Sequence, residues 1–564
     1  MRVTIQSVGS CSVKISSRDL VPLQKSVGRI GRVNRVDRAL NFDLVYPSQR
    51  DPVFARNVVA TSQPLATLAG IDALKRGGNA IDAALAAAIT LTVVEPCSNG
   101  LGSDAFALTW YDGSLYGLNG SGKSPRRWSL EHFAQHEEMP QTGWDSVTVP
   151  GAVSSWVKMS QRFGKLDFVE LFRAAIDYAE HGFHVGRRTA WHWQRSAQRF
   201  RHFQPFCDHF LKQGKAPATG ELFKRPQLAD TLREIAKTNG ESFYRGALAQ
   251  TIVQQAKREG GLLDLVDLHE QESCWIDPLS YQYGGFDIHE IPPNGQGLTA
   301  LIALGILDRL NNRQNPPGSP SWTHQQVEAM RIATHIAAEH FADPRHMMID
   351  PQRFLEDQFL SEFASRISAN AVMETLSIPK VGSDTVYLCT GDSEGNMVSF
   401  IQSNYMGFGS GVVIDGTGIA LQNRGAGFSL DPKHPNVVSG SKRPFHTIIP
   451  GFVTKDGAPL LAFGVMGGHM QPQGHVQMIT RVFDHGENPQ TAADAPRWFV
   501  TPDYDTVLEQ GYSVDTYDEL VRLGHKVTTS NLIDLFGGAQ LILRVEDGYC
   551  AASDHRKEGQ AAGF

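Results

Sequence analysis

Residues 383–403 read SDTVYLCTGDSEGNMVSFIQS, the most informative stretch of the chain. Two runs rich in β-branched and aromatic residues, 385–389 and 397–403, flank a turn cluster that ends in Gly395-Asn396. This pattern predicts a β-hairpin with Thr385 at the start of its first strand. A threonine that opens a strand has no chemical meaning by itself, so the surrounding motifs must decide whether Thr385 is more than a hairpin residue.

Several motifs accompany the hairpin at characteristic places. Its turn reads Asp392-Ser393-Glu394-Gly395-Asn396, Phe408-Gly409-Ser410-Gly411 follows downstream, and Gly467-Gly468 comes after an apolar strand. Together they resemble the γ-glutamyltransferase family of N-terminal nucleophile hydrolases. The short segment between Phe428 and Lys442 resembles the acylase-like, lidless branch of that family. The resemblance runs from about residue 58 to the end of the chain. It implies an α+β fold, a four-layer αββα sandwich, which periodicity alone does not show.

Periodicity predicts helices and strands in both halves of the chain, as an α+β layered sandwich requires. The predicted helices are 64–75, a helix capped by Asn79 that runs to about 94, a run of helices through 211, 230–257 with a break at 239–240, 298–311, 324–341, 358–369, 473–483, 489–495 and 514–523. The predicted strands outside the hairpin are 58–60, 106–111, 114–118, 540–545 and 549–552.

The resemblance gives Thr385 a role. In the family the chain is cut before this threonine, here between Asp384 and Thr385, and the new terminal residue carries both nucleophile and base. A free α-amine has a pKa of about 8, so it can accept the hydroxyl proton near neutral pH without a histidine. Residues 42–384 would form the large subunit and 385–564 the small catalytic subunit, together one αββα domain after cleavage.

Ser403 and the glycine pair complete the predicted catalytic set. Ser403 lies where the family places a threonine whose hydroxyl hydrogen-bonds the nucleophile, so the hydroxyl is kept. Gly467 and Gly468 match the glycines whose N–H groups form the family's oxyanion hole. Consecutive glycines let adjacent amides point into one site without a Cβ in the way. Taken alone, an ordinary strand serine and a simple glycine turn are the alternative interpretations.

The substrate-binding motifs depart from the family pattern. Ser121 stands where γ-glutamyl enzymes place the arginine that holds the substrate α-carboxylate. Gly427 stands where they place a carboxylate for the α-amine, and His446 and Thr447 replace two serines. Each lost charge-assisted hydrogen bond is worth about 1.5–3 kcal/mol. Glutathione is therefore expected to be a poor substrate unless other groups compensate.

Arg424 is the candidate compensating residue. A guanidinium suits a carboxylate, so we expect an acyl group that has a carboxylate and no α-ammonium, such as glutaryl. A structural arginine paired with a nearby carboxylate is the alternative. The candidate substrate-binding residues are Arg424, Tyr405, Gly427, His446 and Thr447.

Composition and charge argue against several partners. The formal net charge is −7 with no polybasic stripe in the body, so we expect no nucleic acid and no membrane surface as partners. No apolar run approaches the ~18 residues of a membrane span. His469 and His475 lie close in sequence, but no third ligand is spaced to join them, so neither a metal nor a cofactor is predicted. The expected partners are a small amide substrate and the chain's own cleaved subunits, with a homo-oligomer left open.

Cysteine usage and the N-terminal region bear on location. Six scattered cysteines without a C-x-x-C pair argue against a disulfide scaffold and favour a reducing compartment. Residues 1–41 are basic and lack the apolar core of a secretory signal. Such a leader resembles an organellar transit segment, but a disordered extension or a start assigned too far upstream is the favoured interpretation. We therefore expect a cytoplasmic location.

The sequence thus predicts a self-processing threonine amidohydrolase or acyltransferase that cleaves an amide of a small carboxylic acid through an acyl-enzyme on Thr385. A genuine glutathione hydrolase with replaced contacts is the alternative within enzymes. An uncut, non-catalytic binding protein is the alternative from another class, and the retention of Thr385, Ser403, Gly467 and Gly468 argues against it.

Overall fold

The computed structural model describes residues 49–368 and 384–564, and only the backbone of Asp384. The predicted extension 1–41 and the end of the predicted helix 358–369 lie outside the described residues. The α-helices in the described part are α1 Pro64–Lys75, α2 Ala80–Val94, α3 Ala152–Phe163, α4 Arg173–His181, α5 Arg187–Phe200, α6 Gln204–Phe210, α7 Pro226–Lys237, α8 Glu241–Arg245, α9 Ala247–Arg258, α10 Leu265–His269, α11 Gly297–Arg309, α12 Pro320–His340, α13 Asp357–Ser365, α14 Met470–Ile479, α15 Pro489–Asp494 and α16 Val514–Arg522.

The strands are distributed along the whole described chain. They are β1 Val53–Ala55, β2 Val58–Thr61, β3 Asp104–Tyr111, β4 Ser114–Gly120, β5 Phe183–His184, β6 Leu222–Phe223, β7 Cys274–Ile276, β8 Leu279–Tyr283, β9 Phe286–Glu290, β10 Asp384–Gly391, β11 Met397–Tyr405, β12 Val413–Ile414, β13 Ile419–Ala420, β14 Gly451–Lys455, β15 Ala458–Met466, β16 Trp498–Val500, β17 Thr506–Glu509, β18 Val527–Ser530, β19 Gly538–Val545, β20 Gly548–Ser553 and β21 Gln560–Gly563.

Two seven-stranded sheets contain most of these strands. The first sheet has the order β21-β2-β10-β11-β3-β4-β7, and the second has the order β1-β20-β19-β15-β14-β9-β8. Neighbouring strands in both sheets are antiparallel. Each sheet combines strands that precede Thr385 with strands that follow it, so the two parts of the chain build one body.

Alternation along β10 shows how the layers stack. Val386 and Leu388 pack with helix α2 on one face of the first sheet, whereas Tyr387 and Cys389 pack toward the second sheet. On its other face the second sheet is covered by α11, α12 and α14. The order helix, sheet, sheet, helix confirms the predicted αββα sandwich.

Local signals located many element ends correctly. The predicted hairpin is β10 and β11, and the Asn79 side chain caps α2 by accepting from the N–H groups of Ile81 and Asp82. Helix α12 begins at Pro320, four residues before its predicted start, because Ser319 caps it and proline fits the first helical turn. The predicted helix 230–257 is three helices, α7, α8 and α9, broken near the expected glycine.

Candidate active site

Thr385 lies where the pairing of β10 and β11 is irregular. Asp384 pairs with Tyr405, and the regular register resumes only at Val386, opposite Gln402. The Thr385 hydroxyl donates a hydrogen bond to Ser403 Oγ at 3.2 Å, and the Tyr405 N–H donates to the same oxygen at 2.8 Å. The structure therefore brings the predicted nucleophile and the predicted orienting hydroxyl together.

The glycine pair approaches the same place from the second sheet. Gly467 and Gly468 connect β15 to α14, with φ angles of +125° and +55° that glycine adopts without a Cβ clash. Gly467 lines a cavity of about 360 Å³ that Thr385 also lines. The pair directly precedes the N-terminus of α14, where the helix dipole favours negative charge. The arrangement suits an oxyanion that forms next to the Thr385 hydroxyl.

Gln296, which the sequence analysis missed, fixes the glycine turn. Its buried side-chain amide donates to the carbonyl oxygen of Gly468 at 2.8 Å and to that of Thr447 at 2.5 Å. Gln296 thereby joins the glycine turn to the segment that carries a candidate substrate-binding residue. Residues 292–297 read PPNGQG before a helix, and this cluster was the sequence signal that could have identified it.

Arg424 is buried, with 1% of its surface exposed. Its guanidinium carbon lies 4.6 Å from the ring centroid of Tyr405, and Nη1 donates to Thr447 Oγ1 at 2.7 Å. Nε and Nη2 have no hydrogen-bond partner among the described residues. Burial lowers the pKa of Arg424 to about 10, so it remains a cation at neutral pH. Two unpaired donors on a buried cation leave capacity to bind an anion.

Tyr405 adopts a backbone conformation that is uncommon for a residue with a side chain. Its φ is +78°, and its side chain is almost fully buried. The residue lies at the end of β11, opposite Asp384. Such strained residues cluster at functional sites, and this one joins the candidate nucleophile region to Arg424.

His446 forms a buried pair with Asp104, a second residue that the sequence analysis missed. His446 Nε2 lies 3.1 Å from Asp104 Oδ2, and the Gly151 N–H donates to Asp104 Oδ1 at 3.0 Å. Burial raises the pKa of Asp104 to about 7, while burial and the nearby Arg424 cation lower the pKa of His446 well below its usual value. Asp104 lies opposite Ser403 in the first sheet, so the pair supports the strand that holds Ser403.

Ser121 and Gly427, the two positions that lost family charges, carry no charged side chain of their own. Ser121 is fully buried, and its hydroxyl donates to Asn119 Oδ1 at 2.7 Å. Gly427 lies with Tyr405 on the surface of a larger cavity of about 1120 Å³. Gln141 and Met406 line both this cavity and the one beside Thr385, so the two cavities adjoin.

A γ-glutamyltranspeptidase family model matches residues 66–564. The chain belongs to the γ-glutamyltranspeptidase family. It is 36% identical to the glutathione hydrolase-like YwrD proenzyme of Bacillus subtilis, over 90% of this chain and 98% of that protein. It is 35% identical to the oxamate amidohydrolase proenzyme of Klebsiella pneumoniae, over 89% and 97%. The crystal structure of a cephalosporin acylase from Bacillus halodurans superposes with a TM-score of 0.88 and 45% identity, over 93% of this chain and 99% of that one.

Membership in the γ-glutamyltranspeptidase family makes the chain an N-terminal nucleophile amidohydrolase or transferase. Among the described residues, no group of three or more His, Cys, Asp and Glu side chains could hold a metal ion. His475 Nδ1 instead lies 2.6 Å from Glu290 Oε1, and burial lowers the pKa of His469 to about 4.

No helix in the described ranges is long and apolar enough to cross a membrane. The five cysteines within those ranges form no disulfide bond.

Proposed function

We propose that Thr385 is the nucleophile of a self-processing amidohydrolase that cleaves amides of a small carboxylic acid. The observation that carries this proposal is the 3.2 Å hydrogen bond from Thr385 to Ser403, beside a cavity that Gly467 also lines. These contacts support Thr385 as the nucleophile, Ser403 as the hydroxyl that orients it and Gly467 as a donor for the oxyanion. The N-terminal nucleophile class of the family supports the same assignment.

Processing would break the bond between Asp384 and Thr385. The Thr385 hydroxyl oxygen attacks the carbonyl carbon of Asp384, the C–N bond breaks, and an ester replaces the peptide. Water then opens the ester, which leaves a carboxylate on Asp384 and a free amine on Thr385. The word "proenzyme" in the names of two relatives supports this step. Residues 42–384 and 385–564 would then be the large and small subunits of one αββα domain.

Substrate turnover would reuse the same hydroxyl. The free α-amine of Thr385 accepts the hydroxyl proton, directly or through a water, because its pKa of about 8 suits neutral pH. The oxygen attacks the substrate amide, and the N–H groups of Gly467 and Gly468 stabilise the oxyanion. The C–N bond breaks, the amine leaves with the proton, and the acyl group remains on Thr385 until water or an acceptor amine removes it.

The acyl group is proposed to carry a carboxylate and no α-ammonium. Neither Ser121 nor Gly427 can neutralise the charges of a γ-glutamyl group, whereas Arg424 has two unpaired donors. Thr447 and Tyr405 hold Arg424, and the His446 pair lies close enough to feel its charge. Two similar proteins named for oxamate and cephalosporin chemistry support an acid amide other than glutathione.

Mass spectrometry of the purified protein and of Thr385→Ala tests the proposal. The parent should give two fragments, the smaller beginning with Thr385, and should hydrolyse glutaryl-p-nitroanilide. Thr385→Ala should stay uncut and inactive, because one hydroxyl serves both reactions. A fully active preparation that remains a single chain would refute the assignment of Thr385.

A genuine glutathione hydrolase is the second candidate, favoured by the similarity to the glutathione hydrolase-like proenzyme of Bacillus subtilis. A higher kcat/KM for γ-glutamyl-p-nitroanilide than for glutaryl-p-nitroanilide would establish it. An uncut and inactive parent chain would instead support a binding protein. A cytoplasmic location and a homo-oligomer stay predictions, which fractionation of cells and light scattering would check.

A further inference from the structure

One face of helix α5 borders the candidate nucleophile and is basic. His192, Arg195, Ser196 and Arg199 are spaced i, i+3, i+4 and i+7, so they lie on the same side of the helix. All four line the 360 Å³ cavity that Thr385 also lines. We call these four residues the α5 face.

The charges that line this cavity are predominantly positive. Lys557 adds a third permanent cation to Arg195 and Arg199, whereas Asp534 is the one carboxylate among the described lining residues. His192 Nε2 lies 3.4 Å from Asp534 Oδ1, so that carboxylate faces the helix. The Arg199 guanidinium also lies 3.8 Å from the sulfur of Met406, which borders both cavities. Positive charge therefore reaches the junction of the two cavities.

The larger cavity has the opposite charge. The carboxylate residues that line it are Glu137, Glu138, Glu339 and Asp431. Its lining contains no lysine and no arginine within the part of the chain that the structure describes. The sign of the charge thus changes across the junction beside Thr385. Arg424, the cation proposed for the acyl carboxylate, does not line the larger cavity itself but lies over the ring of Tyr405, which does.

We propose that the α5 face and Lys557 form a subsite for a carboxylate on the amine half of the substrate. This inference rests on the proposed function, because Thr385 must be the nucleophile for the cavities to receive the two halves of one amide. Tyr405 and Gly427, candidate acyl-binding residues, line the larger cavity, which leaves the smaller cavity for the amine.

The reaction balances with this placement. The Thr385 oxygen bonds to the acyl carbon, the C–N bond breaks, and the amine departs with the proton that the α-amine received from the hydroxyl. The carboxylate of the leaving amine takes no part in bond making. Arg195 and Arg199 bind it through one or two charge-assisted hydrogen bonds. An acceptor amine that carries a carboxylate would bind in the same subsite when it attacks the acyl-enzyme on Thr385. The substrate class is therefore an acylated amino acid or another amide whose amine half is anionic.

A matched pair of chromogenic amides tests the subsite. One is the 4-nitroanilide and the other the 3-carboxy-4-nitroanilide of the same acyl group, chosen as the fastest among glutaryl, γ-glutamyl and acetyl. The parent should favour the carboxylated anilide in kcat/KM, and raised salt should reduce the preference. Arg195→Gln, at an exposed position, should lower the preference about tenfold. Arg195→Lys should retain more of it, because the positive charge remains.

Arg201→Gln is the matched control, since Arg201 is exposed just beyond the end of α5 and does not line the cavity. It should leave the preference unchanged. Equal kcat/KM values for the two anilides in the parent would overturn the subsite. An equal loss on both anilides in Arg195→Gln would do the same, because it would show a structural role.

The preference between acyl groups shows whether Arg195 acts on the amine half or on the acyl half of the substrate. With 4-nitroaniline as the fixed amine, the ratio of glutaryl to butyryl turnover should not change in Arg195→Gln. Suppose instead that Arg195→Gln changes the glutaryl-to-butyryl ratio but leaves the preference for the carboxylated anilide unchanged. The acyl carboxylate would then bind in the smaller cavity, and the assignment of the amine half to that cavity would be wrong. Failure of the proposed function looks different: Thr385→Ala would remain active, or the processed parent would turn over none of the three acyl groups.

Discussion

The oxyanion assignment depends on two backbone N–H groups, those of Gly467 and Gly468. Both residues have positive φ, and at Gly467 the angle of +125° lies where side chains are strongly disfavoured. Gly468, at +55°, lies in the left-handed helical region, where a residue with a Cβ costs about 1–2 kcal/mol. Gly468 is therefore the position at which catalysis and folding can be separated.

Gly468→Ala is expected to lower kcat about 10²–10³-fold, because the added methyl group displaces one oxyanion donor. The matched control is Gly457→Ala in the β14–β15 turn, which has a φ of +74° and open space around its Cβ position. Both variants should lose similar stability in thermal melts, but only Gly468→Ala should lose activity. A kcat within a few-fold of the parent would remove Gly468 from the oxyanion site.

Asp104 predicts a pH dependence of stability. Burial raises the pKa of Asp104 to about 7 in the folded protein, against about 3.9 when unfolded. Between these values the folded state binds one more proton than the unfolded state, so the free energy of unfolding falls as pH rises. This contribution is fully present below about pH 4 and is lost as pH rises through about 7.

Asp104→Asn should flatten that slope, because asparagine does not titrate and can still accept from the Gly151 N–H. Urea unfolding of the parent and of Asp104→Asn at intervals between about pH 4 and 8 measures it. Parallel curves for the two proteins would show that Asp104 does not titrate in this range.

At the scale of elements, sequence patterns predicted the helices and strands that depend on neighbouring residues, but not the contacts between distant parts of the chain. The β10–β11 hairpin follows from two β-branched and aromatic runs around the Gly395-Asn396 turn, and helix α2 follows from the Asn79 cap. Both signals act within a few residues. The pairing of His446 with Asp104 joins residues 342 positions apart, and no periodicity reports such a contact. The sequence shows that the basic residues of α5 share one side of the helix, but only the tertiary fold shows that this side faces the cavity beside Thr385.

The short turn from Arg424 to Gly427 is the element that is expected to set acyl specificity. Arg424→Met, which keeps volume without charge, should raise KM for glutaryl-p-nitroanilide. Gly427→Asp should shift preference toward γ-glutamyl-p-nitroanilide by restoring a carboxylate for the ammonium group.

Gly427 needs a steric control, because a Cβ there would lie 2.7 Å from the Phe445 carbonyl oxygen. Gly427→Ala makes the same contact without charge, so it should lower both rates without changing their ratio. If Gly427→Ala and Gly427→Asp shift the ratio equally, charge at this position does not select the substrate.

At the scale of the whole molecule, cleavage before Thr385 would leave two chains in shared sheets. Strands β10 and β11 lie between β2 and β3 in the first sheet, and β14, β15, β19 and β20 lie between β9 and β1 in the second. The proposed fragments should therefore migrate together in size-exclusion chromatography and separate only in denaturant. Residues 385–564 expressed alone should not give a cooperatively folded protein. Spontaneous separation of the fragments in native buffer would contradict this prediction.

The same interleaving of strands changes the order of the unfolding reaction. Before cleavage, unfolding converts one molecule into one molecule, and its midpoint is independent of protein concentration. After cleavage, complete unfolding releases two molecules, so dilution favours the unfolded side and the apparent stability acquires a dependence on concentration. The uncut chain holds its two parts at a high effective concentration, an advantage that is lost once the connection is broken. Maturation would thus gain a nucleophile and give up the ability to refold as a single chain.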